Sequence, residues 1–245
     1  NVPPDTSAIK NLVKKFNVED CKTYKTPIEK NLNLKKNLDN NVKTKLPYKE
    51  LLGSLMYVMM GTRPDICFSG GYFGRFQDCA TDEHFKHLLR VLKYLETTIN
   101  YKLKFCFSDS NLEGYADSDF ANDSIDRKSV SGYCFKLFDN LISWSSKKQS
   151  VVTLSSTESE FVAVCVASCE LLYLKNLLAD LNVEIILPVP LLEDNQSTIK
   201  LLQNFENNRR CKHIDVKMHF VVDLVNQGII KIKYICTSLK PKPIM

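Results

Sequence analysis

Three acidic segments in the second half of the chain carry the residue types of divalent-metal chemistry. Gly114-Tyr115-Ala116-Asp117-Ser118-Asp119-Phe120 puts two carboxylates at the end of an apolar strand. Ser155-Ser156-Thr157-Glu158-Ser159-Glu160-Phe161 puts two at the start of a long helix. Leu191-Leu192-Glu193-Asp194-Asn195-Gln196-Ser197 puts two where a strand passes into a short helix. Carboxylate oxygens suit a hard cation such as Mg²⁺, or Mn²⁺. Two such ions, roughly 4 Å apart, activate a water and stabilise a leaving oxygen in phosphodiester hydrolysis. That chemistry needs acids from separate elements converging on one cleft, which strand ends and helix starts allow.

Local periodicity bears on each pair. Asp117 and Asp119 share a face on a regular strand, so it does not choose between them. Glu158 and Glu160 point about 200° apart on a helix, and Glu160 lies beside the apolar side marked by Phe161, Val164 and Cys165. Glu193 and Asp194 alternate on a strand, so only one is expected to face inward, and Asp194 ends the strand. The candidate metal ligands are therefore Asp117, Glu160 and Asp194, with Asp119 as an accessory. Any one of them alone reads equally well as a cap or a helix-dipole partner. The three together, in this element order, are what point to a site.

The elements that must position these acids are legible from residue 111 onward. Strands are expected over about 112–118, 131–138 and 141–145, with a tight turn at Asp139-Asn140. A helix follows from about 157 to 181, capped by Ser155 or Ser156, then a strand over 189–193. A short helix over 195–203, a helix over 214–226 ended by Gly228, and a strand over 229–235 complete the order. Three antiparallel strands, helix, strand, helices and strand is the order of an RNase H-like α/β fold with a mixed five-stranded sheet. Residues 1–110 read differently. A helix is expected over 5–17, a Lys/Asn-rich loop to about 46, then three amphipathic helices, a small helical subdomain. Tyr101–Phe107 alternates apolar and basic residues and reads as a strand. The turn cluster Ser108-Asp109-Ser110-Asn111 is the expected boundary, dividing the chain into 1–110 and 111–245.

The 245 residues suffice for one or two domains, and 44% hydrophobic and 25% charged residues are ordinary for a globular chain. No apolar run approaches the roughly 18 residues of a membrane span, so no membrane partner is expected. The nine cysteines form no C-x-x-C pair and read as buried, reduced thiols of an intracellular protein. The net charge of +5 is uneven: residues 1–110 carry about +6 and residues 111–245 about −1. A basic half facing phosphates and an acidic half holding metal is the division a nuclease needs. Arg63, Arg75, Lys86, Arg90 and Lys93 are the basic residues on the helices, to be weighed between a solvated face and nucleic-acid contact.

The motifs closely resemble the C-terminal part of copia-type retrotransposon Pol polyproteins, from the reverse transcriptase thumb and connection through the RNase H domain. The resemblance is carried by Pro47-Tyr48, Leu52-Gly53-Ser54-Leu55-Met56-Tyr57, Thr62-Arg63-Pro64-Asp65-Ile66, Leu92-Lys93-Tyr94-Leu95 and Gly114 through Ala121. It continues through Asp126-Arg127-Lys128-Ser129-Val130-Ser131-Gly132-Tyr133, Ser143-Trp144-Ser145-Ser146-Lys147-Lys148-Gln149, Ser155 through Phe161, Asp194-Asn195-Gln196-Ser197 and Lys212-His213-Ile214-Asp215-Val216. It implies Mg²⁺-dependent cleavage of the RNA strand of an RNA–DNA hybrid during reverse transcription, with Asp117, Glu160 and Asp194 as ligands. It also implies Ser145, Ser146, Lys147, Lys148, Gln149, Gln196, Ser197 and His213 at the nucleic acid, and the rest of a Pol polyprotein as partner. The implied location is intracellular, in cytoplasmic particles or the nucleus.

Two departures qualify that expectation. No Tyr-x-Asp-Asp motif occurs, so this chain is not expected to polymerise. In the family the last strand leads through a Thr to an Ala-Asp that supplies a fourth acid. Here Thr237 is followed by Ser238-Leu239-Lys240-Pro241-Lys242-Pro243-Ile244-Met245, without an acid. Weak or absent cleavage is the expectation, with a hybrid-binding relic or a structural connection module as the alternatives.

Overall fold

A single mixed sheet and the long helix packed across it position the acids named above. The structure, a computed structural model, describes residues 6–19, 22–30, 32–37, 43–121, 123, 126–203 and 215–241. Two compact units divide the chain, residues 1–105 and 106–245.

In the first unit four helices share one core: α1 (Thr6–Lys15), α2 (Tyr48–Gly61), α3 (Cys67–Gly74) and α4 (Asp82–Thr97). Ile9, Leu51, Leu55, Val58, Phe73, Leu88, Leu92 and Leu95 recur at helical spacing and are buried. Thr81 and His84 start α4 with a reciprocal cap, each side chain meeting the other's backbone N–H. The expected long loop is held to the helices by polar contacts. Tyr72 Oη donates to Leu32 O and accepts from Leu34 N, while Arg90 reaches Glu29 and Thr26 and stacks over Tyr24.

Arg63 corrects both readings of the basic residues: it is neither solvated nor presented to a ligand, but 1% exposed. Its guanidinium forks onto both carboxylate oxygens of Asp65 (2.9 and 2.7 Å) and donates to Thr98 O and Oγ1. Tyr94 Oη completes the Asp65 shell at 2.8 Å. The Thr62-Arg63-Pro64-Asp65 motif is thus an internal clasp between the turn after α2 and the end of α4. Arg's planar fork makes such burial tolerable, because each donor finds an acceptor.

The expected strand at 101–107 is not formed. The segment pairs with no other strand among the described residues. Instead the Asn140 side-chain amide serves the backbone of Cys106, accepting from its N–H at 2.7 Å and donating to its C=O at 2.9 Å. Alternation alone does not make a strand when no ladder partner is available.

The second unit follows the expected order: β1 (Glu113–Asp119), β2 (Val130–Leu137), β3 (Asn140–Lys148), α5 (Ser156–Asp180), β4 (Val189–Glu193), α6 (Gln196–Gln203), α7 (Asp215–Asn226) and β5 (Ile230–Tyr234). The sheet order is β3-β2-β1-β4-β5. The first three strands are antiparallel, and β4 and β5 join in parallel. This is the RNase H-like mixed sheet expected from the element order. Phe138 and Asp139 both take positive φ, 53° and 60°, and form the two-residue β2–β3 turn. β3 runs three residues further than its apolar stretch, because its polar end still pairs with β2 through Lys148↔Val130.

α5 packs across β1 and β2 and meets α6 and α7 as well. Its first half is apolar almost all round and correspondingly buried, from Ser159 to Cys165. This also amends the reading of apolar runs. At 25 residues α5 is long and apolar enough to cross a bilayer by length and composition, yet 56% of its apolar window is buried in the fold, as a core helix requires. The cysteines need a similar amendment. Seven are described and none forms a disulfide, but Cys106, Cys169 and Cys236 are exposed.

Gly114 is where β1 meets its neighbours most closely. A Cβ there would lie 2.4 Å from Phe135 Cε1 and 2.9 Å from Leu191 Cδ1. Gly114→Ala is expected to destabilise this unit by about 1–3 kcal/mol through overpacking. Urea unfolding followed by Trp144, the chain's one tryptophan and a β3 residue, reads the change.

Candidate metal centre

The sheet register brings the first and third acids together. β1 and β4 pair in parallel with Gly114 opposite Leu191 and Tyr115 opposite Leu192. Continued by two residues past Tyr115 and Leu192, that register sets Asp117 level with Asp194, near the same end of the two strands. α5 lies across β1, and its first turns deliver Glu160 to that end. Asp117, Glu160 and Asp194 offer oxygens that all lie within 4.8 Å of one another. Asp117, Glu160 and Asp194, named above as the candidate ligands, are the three that meet.

Their neighbours divide for identifiable reasons. Asp119 lies outside this cluster: two residues along a strand is a shift of about 7 Å. Glu158 turns back over the helix start, where its carboxylate accepts from Leu154 N at 2.6 Å while Ser155 Oγ caps its N–H. The expectation that only one of Glu193 and Asp194 faces inward fails. β4 ends at Glu193, so strand alternation no longer governs Asp194. Glu193 is fully buried, accepts from Asn195 N at 2.9 Å, and its charge bears on Glu160, Asp194 and Asp117. It is an acid of the site that alternation hid, and the strand's last position was the signal for it.

The chain after β5 adds a cation. Ile235 N donates to Glu193 O, and a 3₁₀ turn at Thr237–Leu239 then reverses the backbone toward β4. Thr237 Oγ1 donates to Asp194 Oδ2 at 2.8 Å. Lys240 Nζ donates to Asp194 Oδ1 at 2.8 Å and to Asp117 Oδ1 at 3.0 Å. Its side chain is only 8% exposed.

These contacts explain the protonation of the group. Burial raises the Asp117 carboxyl above its ordinary range, against the pull of Lys240. Burial acts on Asp194 too, but the hydrogen bonds from Lys240 and Thr237 outweigh it and hold the carboxyl below its usual range. Burial, reinforced by like charge, raises Glu160 and Glu193 together. Glu160 Oε2 and Glu193 Oε2 are buried with no hydrogen-bond partner. Desolvation disfavours the Lys240 ammonium, yet Glu193, Asp194 and Asp117 more than compensate and raise its pKa.

The residues expected at a nucleic acid have separate fates. Lys147 is exposed on β3, the sheet's edge strand. Lys148 is engaged with Asp123 and with Asp126, at 2.8 Å from the latter. Gln149 is buried, and its amide ties β2 to α5 through Ser131 Oγ (2.8 Å) and Ser159 O (3.0 Å). It is a strut of the fold rather than a surface contact. Ser145 and Ser146 are half-buried in β3. Gln196 and Ser197 are exposed at the start of α6, but Asn195 Oδ1 already accepts from Ser197 N and Thr198 N. His213 lies outside the described residues.

As donors, three carboxylates, with Glu160 Oε2 among them and Glu193 Oε2 beside them both buried and unpartnered, fit a hard divalent cation. Lys240 Nζ already draws on two of those carboxylates.

No family model matches the chain. Over 242 residues it is 36% identical to the "Retrovirus-related Pol polyprotein from transposon TNT 1-94" of Nicotiana tabacum, a match covering 95% of this chain and 18% of that protein. It is 32% identical over 230 residues to the "Retrovirus-related Pol polyprotein from transposon RE1" of Arabidopsis thaliana, covering 94% of this chain and 16% of that protein. A 130-residue stretch is 42% identical to "Secreted RxLR effector protein 161" of Plasmopara viticola, covering 53% of this chain and 92% of that protein. The chain spans less than a fifth of the two Pol polyproteins. Among solved structures, that of LC11-RNase H1 in complex with RNA/DNA hybrid covers 52% of this chain and 87% of its own, with a TM-score of 0.39 and 11% identity. Matched along nearly its whole length to Pol polyproteins, the chain belongs to the copia-type retrotransposon Pol family.

Proposed function

We propose that residues 106–245 are an RNase H-type endonuclease domain. It would cut the RNA strand of RNA–DNA hybrids during reverse transcription, at a rate reduced by the missing fourth acid. The observation that carries this reading is the convergence of Asp117, Glu160 and Asp194 from β1, α5 and β4. Family membership supports it, and the lack of any acid in residues 238–245 supports the reduced rate. The remainder of a Pol polyprotein is the proposed partner, since the two Pol polyproteins are more than five times as long.

Asp117, Glu160 and Asp194 would hold Mg²⁺, or Mn²⁺ in its place. Bound there, a divalent ion supplies Lewis-acid activation of water and stabilises charge on the leaving oxygen. The protein's own part is to fix three oxygens on rigid elements before substrate arrives. Lys147 on the edge strand, with Ser145, Ser146, Gln196 and Ser197, is assigned to the hybrid's backbone. The β2–Gln149–α5 strut keeps the start of α5, and with it Glu160, in register with the sheet.

The test is cleavage of a labelled RNA–DNA hybrid by the full chain in Mg²⁺ or Mn²⁺, beside Asp117→Asn. Slow cleavage that Asp117→Asn reduces to background is expected. Cleavage that Asp117→Asn leaves intact would remove these acids from the site. Turnover equal to that of a complete RNase H would remove the reduced-rate reading.

A second reading, a hybrid-binding module without cleavage, is favoured by the ammonium between Asp117 and Asp194. Hybrid retention on a filter, unchanged by chelator and without cut product, would select it.

A further inference from the structure

We propose that Lys240 is a tethered cation that competes with divalent metal for Asp117 and Asp194, so that metal enters this site only when Lys240 swings away. The inference rests on the metal-dependent reading of the three carboxylates given above.

Geometry carries the argument. Lys240 Nζ sits 3.0 Å from Asp117 Oδ1 and 2.8 Å from Asp194 Oδ1. These are two of the three carboxylates that converge. A divalent ion needs such oxygens at about 2.0–2.6 Å, and an ammonium donating to them occupies the approach. One pair of carboxylates does not serve both cations at once.

The contact is built into the fold rather than a surface encounter. Lysine normally keeps its head in water, whereas this side chain is 8% exposed, 123 residues distant in sequence from Asp117. The 3₁₀ turn and the Thr237–Asp194 hydrogen bond aim it there. The substitution also has the right sense of charge. Where the family places an acid after the last strand, these residues supply a cation instead.

The ammonium is nonetheless an incomplete replacement for a metal ion. It does not reach Glu160 Oε2 or Glu193 Oε2, which stay buried and unpartnered. A divalent ion with six oxygen positions would draw on more of the cluster than an ammonium with three protons. Competition, not permanent closure, is the consequence. Lys240 neutralises the acids while metal is scarce and is expelled when metal is abundant.

The test has two arms, both on the full chain. Mn²⁺ is titrated into the parent and into Lys240→Met, with free Mn²⁺ counted by electron paramagnetic resonance. At least tenfold tighter binding by the variant is expected. In parallel, trace acylation of the parent's lysines is mapped by mass spectrometry. Lys240 is expected to react at least tenfold more slowly than exposed Lys147 in metal-free buffer, and to become reactive at saturating Mn²⁺. Equal Mn²⁺ affinity of the two proteins, with Lys240 protected throughout, overturns the competition and leaves the metal site standing. Failure of both proteins to bind Mn²⁺ at millimolar concentration overturns both ideas. Should the variant not fold, the acylation arm decides alone: Lys240 as reactive as Lys147 without metal overturns the proposal.

Discussion

Asp194→Ala is expected to cost the second unit about 3 kcal/mol in metal-free buffer, measured by urea unfolding on Trp144 fluorescence. The carboxylate accepts from both Lys240 and Thr237, and these bonds keep it ionised despite burial. Removing it leaves the buried ammonium hydrogen-bonded to Asp117 alone, the more exposed of its two bonded partners (side chains 38% and 14% exposed), with the Glu193 charge still nearby. Breaking a buried pair from one side costs about 3–5 kcal/mol, and the partial exposure here places the loss at the low end. Asp194→Asn, which keeps an acceptor for Thr237, should lose less. The double variant Asp194→Ala/Lys240→Met should lose less than the sum, with a coupling of about 1–3 kcal/mol. An Asp194→Ala protein within about 0.5 kcal/mol of the parent would show that the pair contributes nothing to the fold.

In the first unit the largest loss is expected from Arg63→Met, about 3–5 kcal/mol. The substitution leaves Asp65 with Tyr94 as its remaining hydrogen-bond partner and takes two bonds from Thr98. It also removes the cation stacked over Tyr94 and Tyr101. Arg63→Lys should recover only part, because an ammonium cannot fork across both Asp65 oxygens while donating to Thr98. Amide hydrogen exchange across α2, α3 and α4 reads the effect in this unit directly. Protection unchanged to within about 0.5 kcal/mol would mean that the clasp is not what holds the α2 turn to α4.

Both cases bear on how motifs are read. Thr62-Arg63-Pro64-Asp65 and Ser143 through Gln149 are as specific as the acidic segments, and basic or polar residues in them invite a nucleic-acid role. Arg63 and Gln149 instead serve the interior, one as a clasp, the other as a strut between β2 and α5. A motif identifies descent equally well whether its residues are held for chemistry or for packing. Only burial and partners separate the two.

Sequence alone determined the order of elements in residues 111–245, the RNase H-like sheet and three converging acids. Period-two and helical patterns are local, and once β1 and β4 are neighbours the strand ends must meet. The ladder that failed at 101–107 had the right alternation and no partner, because pairing is not a property of one segment. Glu193 is set aside by strand alternation, a rule that stops at a strand's last residue. Lys240 carried no signal at all: a lysine before a proline after a final strand reads as solvated tail. Its place between Asp117 and Asp194 is set by a turn after β5 and by a register across two parallel strands. Tertiary structure alone decided that the site's nearest cation is one of its own side chains, because contact across 123 residues is fixed by topology and not by pattern.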